Sequence, residues 1–172
     1  MRLIEPEPDI LVENRQRGHR VDTARCARLV AWLVRRARRI RPVDSPLWSS
    51  VTVLLVGDRG SAAAHHRVFD DPSVTDVITL SYADGPGPAA GLSGELIVNV
   101  ARAHKEGSRR AAAGRRNRVW GPDFEFALYL AHGVDHLTGA DDHEEADFLR
   151  MRSRELRWVA AAAHAELVSL FQ

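Results

Sequence analysis

The sequence predicts an α/β (α+β) fold: a small mixed sheet of about four strands, covered by helices. Two observations carry that expectation. Strand-like and helix-like stretches are interspersed: short β-branched apolar runs alternate along the chain with stretches of helical periodicity, which suits helices covering a small mixed sheet. No internal repeat and no composition break divides the 172 residues, so one domain, 1–172, is expected.

The elements follow in order. Residues 9–15, DILVENR, read as a first strand. Asp22-Thr23 is a helix start, and TARCARLVAWLVRRARRI repeats Ala27, Val30, Ala31 and Val34 at helical spacing. Arginines at its end suit the negative pole of the helix dipole, and Pro42 and Pro46 mark the exit. SVTVLLVGD (50–58) is the clearest strand, continuous and apolar enough to be buried on both faces. Ser61 caps a short helix to about Phe69, DDPS turns, and TDVITLSY (75–82) is a second firm strand. ADGPGPAAGLSG has loop composition, GELIVNVA (94–101) is strand-like, and a helix runs from near Val100 to Gly107. SRRAAAGRRNRV reads as a solvated basic loop. Gly121-Pro122-Asp123 opens a strongly apolar helix that Gly139 closes. A last helix extends from about Glu144 to the C-terminus, with Leu149, Leu156, Val159 and Ala163 on one side.

Composition narrows function only a little. Apolar residues make up 45% and charged residues 27%, as in ordinary globular proteins, and the net charge is +1. The chain as a whole is therefore no polycation. All its basic residues except Lys105 are arginine, a bias compatible with phosphate recognition and equally with base composition. The single cysteine, Cys26, excludes an intrachain disulfide and reads as a buried, inert thiol. The N-terminus lacks a leader pattern and no run approaches a membrane span, so a cytoplasmic protein is expected.

Chemistry concentrates in HGVDHLTGADDH, residues 132–143. His132 and His136 stand one turn apart on one helix face, where a rigid backbone can hold two imidazoles at metal-ligand spacing. Gly139 lets the chain turn back and bring a third ligand. Three protein ligands leave a fourth position for water, the pattern of catalytic rather than structural zinc. The competing reading is an exposed helix end with solvated histidines. A thermolysin-type peptidase is disfavoured, because its general-base glutamate would stand at position 133, which is glycine.

These residues resemble the YbeY family of endoribonucleases. HGVDHLTGADDH is similar to that family's His-Gly-x-Leu-His-Leu-x-Gly-Tyr-Asp-His. TDVITL (75–80), GELIVNV (94–100) and EEADFLRM (144–151) resemble its flanking segments, so that the likeness covers roughly residues 50–160. The resemblance implies an α/β fold, one metal ion (usually Zn2+) held by three residues, and a single-strand-specific endoribonuclease. It also implies a role in 16S rRNA maturation and ribosome quality control, with RNA and a ribosomal subunit as partners and no membrane. A ribosome-associated binding or assembly factor with a structural metal is the alternative.

Three departures stand out. The family's third histidine aligns with Asp142, while His143 is one residue later. The unbroken alignment leans to Asp142 and a one-residue insertion would select His143. Asp135 replaces the leucine between the histidines and reads as solvated, the alternative being that it orients an imidazole. The arginine expected six residues before the strand threonine is Phe69, leaving Arg67 as its substitute or as a plain surface residue. A phosphoryl transition state gains from such a cation. His65, His66 and His104 are further acid–base candidates. Phosphate contacts could come from Arg35, Arg36, Arg38, Arg39 and Arg41, or from Arg109, Arg110, Arg115, Arg116 and Arg118. No aromatic RNA-binding pattern is evident, so recognition by shape and backbone is expected.

Overall fold

In a computed structural model the described residues are 7–40, 48–83, 92–113 and 120–172. Strand β1 (Asp9–Asn14) leads to helix α1 (Thr23–Arg38), then β2 (Trp48–Val56) and α2 (Asp58–Phe69). Strands β3 (Val77–Ala83) and β4 (Leu92–Asn99) precede α3 (Val100–Ala112), α4 (Pro122–Leu137) and α5 (Glu145–His164). The sheet runs in the order β1-β2-β4-β3. The pairs β1–β2 and β2–β4 are parallel and β3 is antiparallel to β4, which makes the sheet mixed and four-stranded as expected.

Alternation along the strands divides the core in two. Val51, Val53, Leu55, Leu96 and Val98 face one way, into the main core shared with α1, α3, α4 and α5. Leu54, Val56, Ile78, Leu80 and Ile97 face the other way, where Ala64 of α2 packs. The expectation that β2 is buried on both faces holds for one face only. Thr52 and Leu54 are half-buried; among the described residues the short α2 is the helix that packs on their side of the sheet.

Helix α1 begins as expected: the Asp22 side chain accepts from Arg25 N at 2.9 Å. Its buried stripe is Cys26, Leu29, Val30, Leu33, Val34 and Ala37. Burial pushes the Cys26 thiol up to about 12, in keeping with an inert core cysteine.

Three boundaries differ from the sequence expectation. Helix α2 starts at Asp58 with Gly57 as N-cap, so Ser61 is no cap; its hydroxyl instead donates to Thr75 O at 2.8 Å and accepts from Thr75 N at 3.2 Å. Helix α3 continues past Gly107 to Ala112, taking in Ser108–Ala112 of the expected loop. Gly107 is the close-approach point between helices: a Cβ there would lie 2.6 Å from Gly121 O and from Pro122 N. Helix α5 ends at His164, and the remaining tail folds back. Val21 and Phe171 form a bridge, and Asp123 Oδ1 accepts from Leu170 N and Phe171 N.

The inner face of α5 also differs. Met151, Glu155, Trp158, Val159 and Ala162 are buried, whereas Leu149 and Ala163 are exposed. Glutamate takes an inward position there because it has a partner on α4. Pro42, Pro46, Arg41, Arg115, Arg116, Arg118 and most of ADGPGPAAGLSG lie outside the described residues. No helix among the described residues is long and apolar enough to cross a membrane.

Candidate metal centre

Helix α4 is apolar nearly all round and lies in the centre of the helical layer, with Phe126, Leu128, Leu130, Ala131 and Val134 buried. A Cβ at Gly133 would come within 2.9 Å of Leu96 and 3.1 Å of Val77, so the glycine lets α4 settle on β4 and β3. Thr79 Oγ1 donates to Gly133 O at 3.3 Å and ties the same turn to β3. The histidines are thus carried on a helix that the sheet holds rigidly.

Both imidazoles are oriented through Nδ1. His132 Nδ1 lies 2.7 Å from Glu155 Oε1, and His136 Nδ1 lies 3.0 Å from Ala140 O. A carbonyl oxygen only accepts, and so does an ionised carboxylate, so Nδ1 is the donor in both rings. Each Nε2 is then the inward-facing atom, and the two lie 3.1 Å apart. Gly139, with φ of 82°, turns the chain after α4. That turn brings Asp142 Oδ2 to 3.8 Å from both His132 Nε2 and His136 Nε2. His132, His136 and Asp142 form a cluster that could hold a metal ion.

Two neutral imidazoles in these tautomers would aim lone pairs at each other across 3.1 Å, beside a carboxylate oxygen. Only a positive charge between them makes that arrangement favourable. Four tetrahedral ligands at zinc bond lengths stand about 3.3 Å apart, so the 3.1–3.8 Å separations need little adjustment. Protonation of His132 would also supply such a charge. Burial opposes that charge, but the hydrogen bond and charge of Glu155, with Asp76, outweigh it and raise the His132 pKa above the usual imidazole value.

The other candidates are placed elsewhere. His143 is 87% exposed and 3.5 Å from Asp141; it stays out of the group formed by the two α4 histidines and Asp142. Arg67 is exposed and lines a groove of about 480 Å³ with Leu54, Leu80, Tyr82, Glu95 and Ile97. Those strand residues alternate with Val77 and Leu96, which meet α4, so Arg67 lies across the sheet from the histidines. Phe69 is 58% exposed. His65 and His66 are on α2, near Ser73 and Asp70 respectively, and His104 stacks on His19 with centroids 4.3 Å apart. Among the arginine candidates, Arg35 pairs with Glu7, Arg109 with Glu106 and Arg110 with Glu125. Arg36 lies over Trp32, Arg38 donates to Trp48 O, and Arg39 is exposed.

Asp135 corrects the expectation of a solvated carboxylate. It is fully buried, and Arg154 donates to both its oxygens at 2.9–3.1 Å. Burial raises its pKa, and Arg154 opposes that rise. Sequence reasoning also missed Glu155, which is fully buried, and Arg152, whose Nη1 lies 3.4 Å from Glu155 Oε2. A signal for Glu155 existed. It stands between Met151 and Val159 at helical spacing, a lone carboxylate on an apolar stripe, which is costly without a partner.

The fold and this cluster define a small α/β protein with a histidine–aspartate group suited to a divalent metal. The family model for endoribonuclease YbeY matches residues 11–162, and the chain belongs to that family. It is 34% identical to the endoribonuclease YbeY of Anaeromyxobacter sp. (strain Fw109-5) over 107 residues, which are 62% of this chain and 51% of that protein. The chain thus matches about half the length of that relative. It is 28% identical to the endoribonuclease YbeY of Chlamydia trachomatis serovar L2 over 150 residues, 86% of this chain and 84% of the other. The solution structure of TM1509 from Thermotoga maritima shares the fold, with a TM-score of 0.52 at 16% identity over 91% of this chain and 93% of that one.

Proposed function

We propose that the protein is a metal-dependent, single-strand-specific endoribonuclease that binds one zinc ion through His132, His136 and Asp142. The observation that carries this reading is the convergence of two Nε2 atoms and one carboxylate oxygen within 3.8 Å of each other, each imidazole locked from behind. Family membership supplies the reaction class and the RNA substrate. By the same reading it works in the cytoplasm, in 16S rRNA maturation and ribosome quality control, with a ribosomal subunit as partner.

A divalent cation at this position, when bound, supplies Lewis-acid polarisation of a phosphodiester oxygen and activation of water. The chain's own groups prepare for that. Glu155 and the Ala140 carbonyl hold both rings in the tautomer that aims Nε2 inward. Asp142 adds an oxygen and one negative charge. His132 and His136 remain 16% and 26% exposed, so one side of the group is open to a substrate.

The test is metal analysis beside cleavage of a single-stranded RNA and of a duplex control. His132→Ala and Asp142→Ala are expected to lose metal and cleavage together, whereas His143→Ala keeps both. Cleavage that persists without metal overturns the reading. A second reading, a ribosome-associated binding factor with a structural metal, is favoured by one observation. Phe69 stands where the family arginine is expected, and Arg67 lies across the sheet. Metal binding with no RNA cut would select it.

A further inference from the structure

We propose that Phe148 and Arg152, on the exposed side of α5, form the seat for the nucleotide next to the scissile bond: Arg152 holds a phosphate and Phe148 stacks the base. The proposal rests on the nuclease reading above and adds how the substrate is held.

The two residues are four apart and so share one helix face. The Arg152 guanidinium lies over one face of the Phe148 ring, 5.7 Å from its centroid, so a base would stack on the opposite face. Phe148 is 40% exposed although it is a large aromatic, and the Arg152 side chain is 31% exposed. From the other side Arg152 Nη1 approaches Glu155 Oε2 at 3.4 Å, and Glu155 Oε1 is bonded to His132. One carboxylate therefore separates this guanidinium from a candidate ligand imidazole. Asp142 lies six residues before Phe148, so the turn that delivers it leads into the same strip.

The chemistry of the pair selects its occupant. Glu155 offsets part of the guanidinium charge and steadies the side chain, while a fork of five N–H donors exceeds what one carboxylate oxygen can take up. A cation beside an exposed aromatic face is the combination by which single strands are held, a phosphate on one and a base on the other. A duplex keeps its bases stacked inward and cannot offer one to Phe148, which gives the site a reason to prefer single strands. Arg152 also places a cation beside the cluster on the α4 side of the sheet, where Arg67 is absent. Base stacking here departs from the backbone-only recognition expected from sequence.

The experiment measures binding of a fluorescent 2′-O-methyl single-stranded RNA, about eight nucleotides long, to the zinc-loaded protein across a salt series. Zinc stoichiometry is checked for every variant, and the RNA is confirmed intact. Phe148→Ala is expected to weaken binding about tenfold and Phe148→Trp to restore it. Arg152→Ala is expected to flatten the salt dependence by about 0.7 in log–log slope, one phosphate contact on a single strand. Both alanine variants should retain zinc. Unchanged binding in both, or displacement of the RNA by polyglutamate as readily as by unlabelled RNA, overturns the proposal. So does a wild-type protein that binds no single-stranded RNA. Weakened binding in the variants of a protein that cuts no RNA supports a single-strand seat at Phe148 and Arg152 and refutes the nuclease reading, and with it the scissile-bond placement.

Discussion

Glu155 Oε1 lies 2.7 Å from His132 Nδ1, and the carboxylate that makes this contact is fully buried. The pair joins α5 to α4 across 23 residues of sequence, beside the group formed by His132, His136 and Asp142. A buried carboxylate without a hydrogen-bonded partner costs several kcal/mol, on the order of 3–5 kcal/mol when a pair is broken. The contact is thus both a fold constraint and the device that orients the His132 ring.

Glu155→Gln keeps a shape that can still accept from Nδ1–H but removes the charge. It is expected to weaken zinc binding by about 10-fold, and Glu155→Ala by about 100-fold. Competition with a chromogenic chelator measures both. Equal affinity in the wild type and the alanine variant would show that Glu155 does not position His132.

The pH dependence follows from the raised His132 pKa. A histidine whose folded pKa exceeds its unfolded value stabilises the metal-free fold fully below the unfolded pKa, and that stabilisation is lost as pH rises through the folded one. Zinc needs the deprotonated Nε2, so its affinity runs the other way and grows as pH rises through the same window. Thermal melts of the metal-free protein and zinc titrations, both from pH 5 to 9, are expected to show opposite slopes. Parallel slopes would contradict a raised His132 pKa.

Arg154→Met leaves Asp135 buried and uncompensated. We expect a loss of about 3–5 kcal/mol at neutral pH, measured by urea unfolding. Burial already holds the Asp135 pKa above the usual carboxylate range. In the variant the folded form gains further by taking up a proton, so its deficit is expected to shrink on acidification. A deficit that stays constant or grows as pH falls would indicate that the lost contacts, not the stranded charge, are responsible.

Gly107→Ala sets two opposing effects against each other. Alanine favours a helix interior over glycine by about 1 kcal/mol. The added Cβ, however, meets the Gly121 carbonyl and Pro122 backbone at 2.6 Å, atoms that cannot swing aside. Overpacking of that kind costs about 1–3 kcal/mol or more. A lower melting temperature is the expected outcome, and a higher one would mean that α3 and α4 sit farther apart.

Much of this protein is legible along the chain. The β2, β3 and β4 runs, the Asp22 cap, the apolar α4 and the His132/His136 spacing follow from periodicity, propensity and one helical turn. These are local properties, carried within ten to fifteen residues. Spacing could bring Asp142 and His143 equally near, because a turn of free dihedrals separates both from α4. In the folded chain Asp142 Oδ2 lies 3.8 Å from both α4 histidines, whereas His143 is 87% exposed beside Asp141. The outward reading of Asp135, the inward place of Glu155 and the far-side position of Arg67 all depended on what the facing element presents. Polarity along one helix states that a carboxylate needs a partner or water. Only the packed arrangement of α4, α5 and the sheet decides which of the two it meets, because the partner comes from a segment distant in sequence.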